Sequence, residues 1–573
     1  MGCIISPPSL MDDVDAVQAQ IARNMVTSAD WVIARLNGVP YLEKSPMIYW
    51  LIGISYRIFG FHDWSARIPV ALAAVLLAWI TFRYGRWAFG GKAGRYAGMV
   101  IATCIGLFLF TRIQIPDVML TLAICVGFWA FQRATDDEEY APRRWAALFW
   151  ASLGFGLLLK GLIAVVVPAG GILVYLLVTR QLFAAPVWKR LHVFTGTLIC
   201  VGIAAPWHVI ATMRMPPIFN FTMHSGPGEY HGFFWFYFIN EHVLRFLNLR
   251  YPRDYNTVPR LAFWGLHFLW LFPWSVYLPA AARQNFKPSD RAGRTRLLAV
   301  CWTGFLLLFF TFSTTQEYYS MPVYPALALL IGSAMDTDST WSRAGTRLLG
   351  GIAALCAVLI GILLLLVRGL PVPGDISRAL QQHPEDYTLS LGHMGDLTIQ
   401  SFAYLRAPLV LAGIAFILGA AACWLMRSRR AYLGIAVMMV LFFHAARVAL
   451  VVFDPYLSSH PLAIALGGAP DGRLILNGPY YSFSSVFFYA NRDALLWNGR
   501  FNNLEYGSYS PGSPAVFIDD PQFARLWNSR DRYFVLSDGD GIAHLKQSAS
   551  EGRLYLVAES GGKTLYSNLP VSR

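Results

Sequence analysis

Between Met11 and Trp50 the chain gathers Asp12, Asp13, Asp15, Glu43 and Lys44 around amphipathic segments, directly ahead of a long series of apolar runs. Carboxylates beside a bilayer are costly unless they face water, a cavity or a substrate. More polar residues recur where later apolar runs end. Asp117 lies in TRIQIPDVMLTL, Lys160 and Gly161 in LLLKGLIAVVVP, and Gln316, Glu317, Tyr318 and Tyr319 in TTQEYYSMPVYP. Glu241, His242 and Arg245 stand at helical spacing in INEHVLRFLN. Carboxylates so placed can serve as general bases or orient a nucleophile, while Lys and Arg hold an anionic phosphate. A long apolar wall around them suits a lipid carrier. Residue type and sidedness thus point to a phosphate-linked lipid and name no reaction.

The elements that must position these groups follow from composition. Of 573 residues, 56% are hydrophobic and 14% charged, with a mean hydropathy of +0.45. Soluble chains carry about 25% charged residues, so the balance is that of a polytopic membrane protein. The net charge of +13 sits in short loops between apolar runs, which is the positive-inside pattern and excludes a nucleic-acid face. Cys104, Cys125, Cys200, Cys301, Cys356 and Cys423 lie inside apolar runs and form no CxxC pair, so neither a zinc site nor a disulfide framework is expected. MGCIIS matches a myristoylation pattern, but a lipid anchor adds almost nothing to a polytopic chain.

Residues 15–28 carry Val17, Ile21, Met25 and Val26 on one face, which predicts a helix lying on the membrane surface. Residues 47–59 are apolar but too short to span and read as a second interfacial segment. About twelve spans are expected, at 66–82, 94–110, 116–132, 145–159, 161–178, 191–211, 259–282, 297–313, 319–336, 346–367, 407–425 and 432–452. Every second connection is basic, which places those six in the cytoplasm and turns 11–65, 111–117, 213–258, 314–319 and 368–406 outward, with both termini outside. An outside N-terminus with no span before it implies a further apolar segment upstream. After residue 453 short β-rich runs such as RLILNG, AVFIDD and RYFVLS alternate with Gly, Pro, Asn and Asp turns. The expected fold class is an all-α polytopic membrane domain over 1–453 followed by a small outward-facing α/β domain over 454–573.

The run DDVDAVQAQIARNM…DWVIARLNGVPYLEKSPMIYW…WSARIP resembles the first periplasmic loop of the polyprenyl-phosphate-sugar-dependent glycosyltransferases. That superfamily includes the protein O-mannosyltransferases and the bacterial aminoarabinose lipid A transferases. LLLKGLIAVVVP is similar to the family's TKGP turn, INEHVLRFLN to its large-loop element, and YYSMPVYPALAL to a later span. The resemblance runs from residue 11 to about 336. It implies a GT-C fold of the bacterial cytoplasmic (inner) membrane, with the active site and the C-terminal domain on the periplasmic side. It further implies a polyprenyl-phosphate-linked sugar donor, a glycolipid or protein acceptor, and transfer with inversion. Asp13 or Asp15 would be the loop-one catalytic acid, since the family's adjacent Asp-Glu reads Asp-Val-Asp here, and Asp117 the second. Tyr41, Glu43, Lys44, Lys160, Glu241, His242, Arg245 and Tyr319 would bind substrate, with Lys44 and Arg245 on the leaving phosphate. No metal ligand is assigned and no cofactor is required, although a divalent metal near Glu241 and His242 stays open. Ser45 replaces the first proline of the family's EKPP, and Gln316 stands where the family is often basic.

Two rival classes remain. A transporter or flippase of a lipid-linked substrate also places charges within a membrane. Here, however, the charges cluster at one face, and no Gly- or Pro-broken pair of spans suggests an inverted repeat. A noncatalytic assembly subunit would instead tolerate changes at Asp13, Asp15 and Asp117.

Overall fold

The structure, a computed structural model, describes all residues except 1, 6, 254–257, 314–315, 382–391, 428, 550–551 and 572–573. Parts of the expected outward stretches 213–258, 314–319 and 368–406 therefore lie outside the described residues, as do Met1 and Ser6 of MGCIIS.

The two helices of the first loop form where the residue pattern predicts, but the first does not lie on a membrane surface: it is buried nearly all round, Gln18 and Gln20 included. Helix α1 (Val14–Ser28) buries Val17, Ile21 and Met25, and Met47–Phe59 forms helix α2. Between them Arg35–Leu36 (β1) and Val39–Pro40 (β2) pair antiparallel, Arg35 with Pro40 and Leu36 with Val39. Asn37 and Gly38 make the turn at φ 51° and 78°, the left-handed pair that a tight hairpin demands. The Asn37 side chain then exchanges 2.9 Å bonds with the backbone of Ala494, far along the chain.

Helices follow in all twelve expected regions, but not all as uninterrupted spans. Among the described residues seven are long and apolar enough to cross a membrane, including α3 (Asp63–Phe89) and α4 (Asp117–Thr135), or eight if one bent pair counts. That pair is the expected span 259–282. It bends by 95° between Arg260–Trp270 and Trp274–Ala282, where Pro273 cannot donate a backbone bond. The expected span 94–110 breaks at Cys104, and 319–336 begins as a 3₁₀ turn (Glu317–Val323) holding Pro322 before Tyr324–Asp336. Each interruption falls where proline, or a non-helical residue such as Cys104 at ψ 148°, breaks the helical hydrogen-bond ladder. Helix α5 (Pro142–Lys160) runs antiparallel to α4, bringing Lys160 back beside Asp117.

The C-terminal region is α/β. Strands β3 (Arg473–Asn477), β4 (Ala494–Trp497), β5 (Phe517–Ile518) and β6 (Tyr533–Asp538) are parallel; β7 (Tyr555–Ser560) and β8 (Lys563–Ser567) close the sheet antiparallel. The spatial order is β5-β4-β3-β6-β8-β7. The first loop shares this region's core. Leu10, Val17, Ile21, Leu36 and Ile52 bury with Leu462, Leu474, Phe483 and Phe487 in one apolar cluster. A separate cluster ties Ile33, Leu42 and Leu158 to Trp207, Trp235, Phe236 and Tyr506.

Candidate active site

Asp117 opens α4 and Lys160 closes α5, so a carboxylate sits at a helix N-terminus and an ammonium at a helix C-terminus, the placements that the two helix dipoles favour. Lys160 Nζ donates to Asp117 Oδ1 at 2.5 Å and stands 5.1 and 4.5 Å from the ring centroids of Tyr318 and Tyr319. The Tyr319 hydroxyl accepts from Arg245 Nη2 at 2.9 Å. Arg245 Nη1 donates to Glu241 Oε2 at 2.7 Å and lies 3.5 Å from Glu43 Oε1, which also binds Lys44. Tyr41 donates to Glu43 at 3.1 Å. Eight sequence-expected residues, Tyr41, Glu43, Lys44, Asp117, Lys160, Glu241, Arg245 and Tyr319, thus join in one network.

The network is layered. The carboxylates of Asp117, Glu241 and Glu43 are 2%, 5% and 8% exposed, whereas Lys160, Arg245 and Lys44 keep 21%, 20% and 24% of their side chains open. Cations therefore form the accessible surface over buried anions. Burial pushes the Glu43 carboxyl up, but Lys44, Arg250 and Arg245 outweigh it and hold it well below the usual carboxylate range. Burial opposes the charge on Lys44, and Glu43 more than restores it. An apolar crevice lined by Val32, Ile33, Trp207 and Phe233 opens beside Lys44.

His242 lies in a stretch of π-helix, Trp235–Leu244, of the kind that recurs at functional sites. Its Nε2 accepts from the backbone of Leu162 at 3.2 Å, so Nδ1 carries the hydrogen donated to the Tyr237 carbonyl. Burial lowers its pKa, in keeping with a neutral ring. His242 thus fastens the turn that presents Lys160, while Glu241 is taken by Arg245 and Arg250. Their side chains serve different partners, and among the described residues no group of three His, Cys, Asp or Glu could hold a metal ion. The described residues around this pair therefore do not fit the divalent metal left open there. Ser45, at the proline position of the motif, bonds the Tyr237 hydroxyl and donates to the Leu157 carbonyl at 3.2 Å, tying the first loop to the end of α5.

Asp15 has partners of its own. Asp15 is buried and accepts from Arg67 at 2.9 Å and from the backbone of Met11 and Gln114, each at 3.1 Å. Through Gln114 it braces the segment leading into Asp117. Asp13 is exposed at the head of α1 with φ 70°, its backbone held by Tyr481 and Ser484. Asp12 is held by Lys563 at 2.6 Å, by Ser459 and by the backbone of Ser485 at 2.8 Å.

Sequence reasoning missed Arg250, Tyr318 as a ring beneath Lys160, and Asn503. Arg250 is fully buried on Glu241, and Asn503 bonds Glu43 and Arg250. The signal for Arg250 was present, a second basic residue in the large loop; Asn503 left none.

Comparison with known proteins bears on the fold. The profile of the family described as dolichyl-phosphate-mannose-protein mannosyltransferase matches residues 43–210. The undecaprenyl phosphate-alpha-4-amino-4-deoxy-L-arabinose arabinosyl transferase of Aeromonas salmonicida is 28% identical over 328 residues, 56% of this chain and 55% of that protein. Its namesake from Erwinia tasmaniensis is 28% identical over 362 residues, 60% of each chain. The chain spans about half the length of the curated relatives it matches. A crystal structure of ArnT from Cupriavidus metallidurans bound to undecaprenyl phosphate superposes with a TM-score of 0.78 at 23% identity, covering 98% of this chain and 94% of that one. The mannosyltransferase-type sequence over 43–210, the arabinosyl transferase relatives and the ArnT architecture together identify a multi-pass membrane protein with the GT-C fold.

Proposed function

We propose that this chain is a glycosyltransferase that moves a sugar from a polyprenyl-phosphate carrier to a lipid A-like lipid or a protein, at the periplasmic face of the bacterial cytoplasmic membrane. The observation that carries the reading is the layered charge: Lys44, Lys160 and Arg245 open over buried Glu43, Glu241 and Asp117. With Arg250 there are four cations against three carboxylates, a surplus suited to an anionic ligand. The named relatives use undecaprenyl-phosphate chemistry, and the ArnT structure holds undecaprenyl phosphate.

In this reaction the acceptor oxygen attacks the anomeric carbon from the face opposite the carrier. The bond from that carbon to the phosphate oxygen breaks, and its electron pair leaves with polyprenyl phosphate. Lys44 and Arg245, steadied by Glu43 and Tyr319, stabilise the leaving phosphate. Asp117 is the network's carboxylate on Lys160; it orients an acceptor phosphate, which needs no base, or receives the proton of an acceptor hydroxyl. Asp15 and Asp13 shape the loop that presents Glu43 and Lys44.

Purified protein in lipid vesicles with polyprenyl-phosphate sugars and an acceptor extract tests this through release of free polyprenyl phosphate. Lys44→Met and Arg245→Met are each expected to slow release about 100-fold, the loss typical of one preorganised electrostatic partner, and Asp117→Asn at least tenfold. Movement of labelled carrier between leaflets without release would favour the flippase class.

A further inference from the structure

The C-terminal region contributes directly to the site. Helix α6 (Asn502–Ser508) is wedged between the first loop and the large loop. On one side Gly507 lies against β2, so close that a Cβ there would come within 2.1 Å of the Pro40 carbonyl. On the other, the Tyr506 hydroxyl accepts from the His231 backbone at 2.9 Å and donates to the Gly232 carbonyl at 3.1 Å, its ring stacked on Phe236. Glu505 accepts from the Tyr251 hydroxyl at 2.7 Å. At the head of this wedge stands Asn503, 4% exposed.

Asn503 faces two groups of opposite charge. Its amide nitrogen donates to Glu43 and lies 3.3 Å from the Tyr41 hydroxyl; its amide oxygen accepts from Arg250 Nη2 at 2.7 Å. A carboxamide carries its donor and its acceptor on two separate atoms of one short stem, and only one orientation of the amide serves both neighbours. We infer that Asn503 is a positioning residue for the transfer reaction: it occupies the gap between Glu43 and Arg250, so that Glu43 stays committed to Lys44 and Arg245 while Arg250 stays on Glu241. Without it the Arg250 guanidinium can close on Glu43, drawing that carboxylate away from the two phosphate-facing cations. The inference rests on the transfer reaction proposed above.

Substituting the amide by a titratable isostere tests it. In Asn503→Asp the ionised carboxylate cannot donate to Glu43 and repels it, whereas the protonated form restores one donor and one acceptor. In the vesicle assay the variant should lose at least tenfold in rate at pH 8 and regain activity relative to wild type as the pH falls toward 5. Asn503→Ala should stay low at every pH. A profile for Asn503→Asp parallel to wild type overturns the inference. So does the same acid-rescued profile from Tyr506→Phe, which loosens α6 from the large loop without touching Glu43; that variant is expected to lower the melting temperature only. If Asn503→Asp is not recovered folded, Asn503→Ser carries the test. One hydroxyl cannot serve both neighbours, so its rate should fall about tenfold, and a wild-type rate overturns the inference. A wild type that releases no carrier from any donor removes the reaction and the inference together, an outcome distinct from an active wild type matched by its variants.

Discussion

The charged residues of the first loop differ in role despite lying within a few positions of one another. Asp15 and Arg67 are each 1% exposed, and Arg67 also donates to the carbonyls of Pro8 and Ser9, at 2.6 and 2.8 Å. Such a pair braces the loop. Removing one partner strands the other, at a cost of about 3–5 kcal/mol. Arg67→Met is therefore expected to lower the melting temperature of the detergent-purified protein strongly, whereas Lys44→Met, with a quarter of its side chain open, should shift it little. Equal shifts would remove the distinction. That Asp117, Lys160, Glu43, Lys44 and Arg245 are candidates for the proposed site was legible in the sequence, because charge beside apolar runs demands a reason. The brace at Asp15 was not: its partners, Arg67 and Gln114, come from other segments and look like ordinary span-end and loop residues. Asn503 lies 460 residues from Glu43, and nothing in its neighbourhood, FNNLEYGS, hints at burial.

At the scale of elements, the turn after α5 shows how backbone geometry sets the site. Gly161 has φ +71°, and a Cβ there would stand 2.1 Å from His242 Nε2. Side chains pay about 1–2 kcal/mol for such a backbone, and the collision would also push His242 off the Leu162 amide. Gly161→Ala should thus reduce carrier release at least tenfold by displacing Lys160 while the helices keep their far-ultraviolet signal; unchanged release would show that the turn tolerates movement. The apolar runs identified the helices well, because burial and lipid exposure both select for them. Their interruptions at Pro273 and before Tyr324 were harder to read. Hydropathy counts apolar side chains, whereas these breaks arise from missing backbone donors and from how neighbouring helices fill the gap. The wide π-helical turn around Glu241 likewise has no periodicity of its own to announce it.

At the scale of the molecule, the alternation of basic loops orients the proposed site. Tyr140, almost wholly exposed, sits in a loop expected to face the cytoplasm, and Glu229 in the large loop expected to face outward. Six of the seven native cysteines are buried or partly buried, and the labelling is done in a Cys3→Ser background to remove the remaining thiol. In intact spheroplasts a membrane-impermeant maleimide should label Glu229→Cys and spare Tyr140→Cys until the membrane is opened; the reverse pattern would place the site on the cytoplasmic side. The texture change near residue 453 was plain in the sequence. That the first loop would bury its apolar face in the same core was not, since no local pattern records a partner some 450 residues away.

Asp12 meets Lys563 and Ser485, and Ser9 meets Asp454 at 2.8 Å. During translation the segment around Asp12 leaves the ribosome long before Lys563 exists. The loop bearing Glu43 and Lys44 must therefore wait, with its apolar face uncovered, through the insertion of every helix that follows. Its final shape is set by a region made long after it, so a chain interrupted before residue 453 is expected to insert its helices and leave the first loop without its core partners.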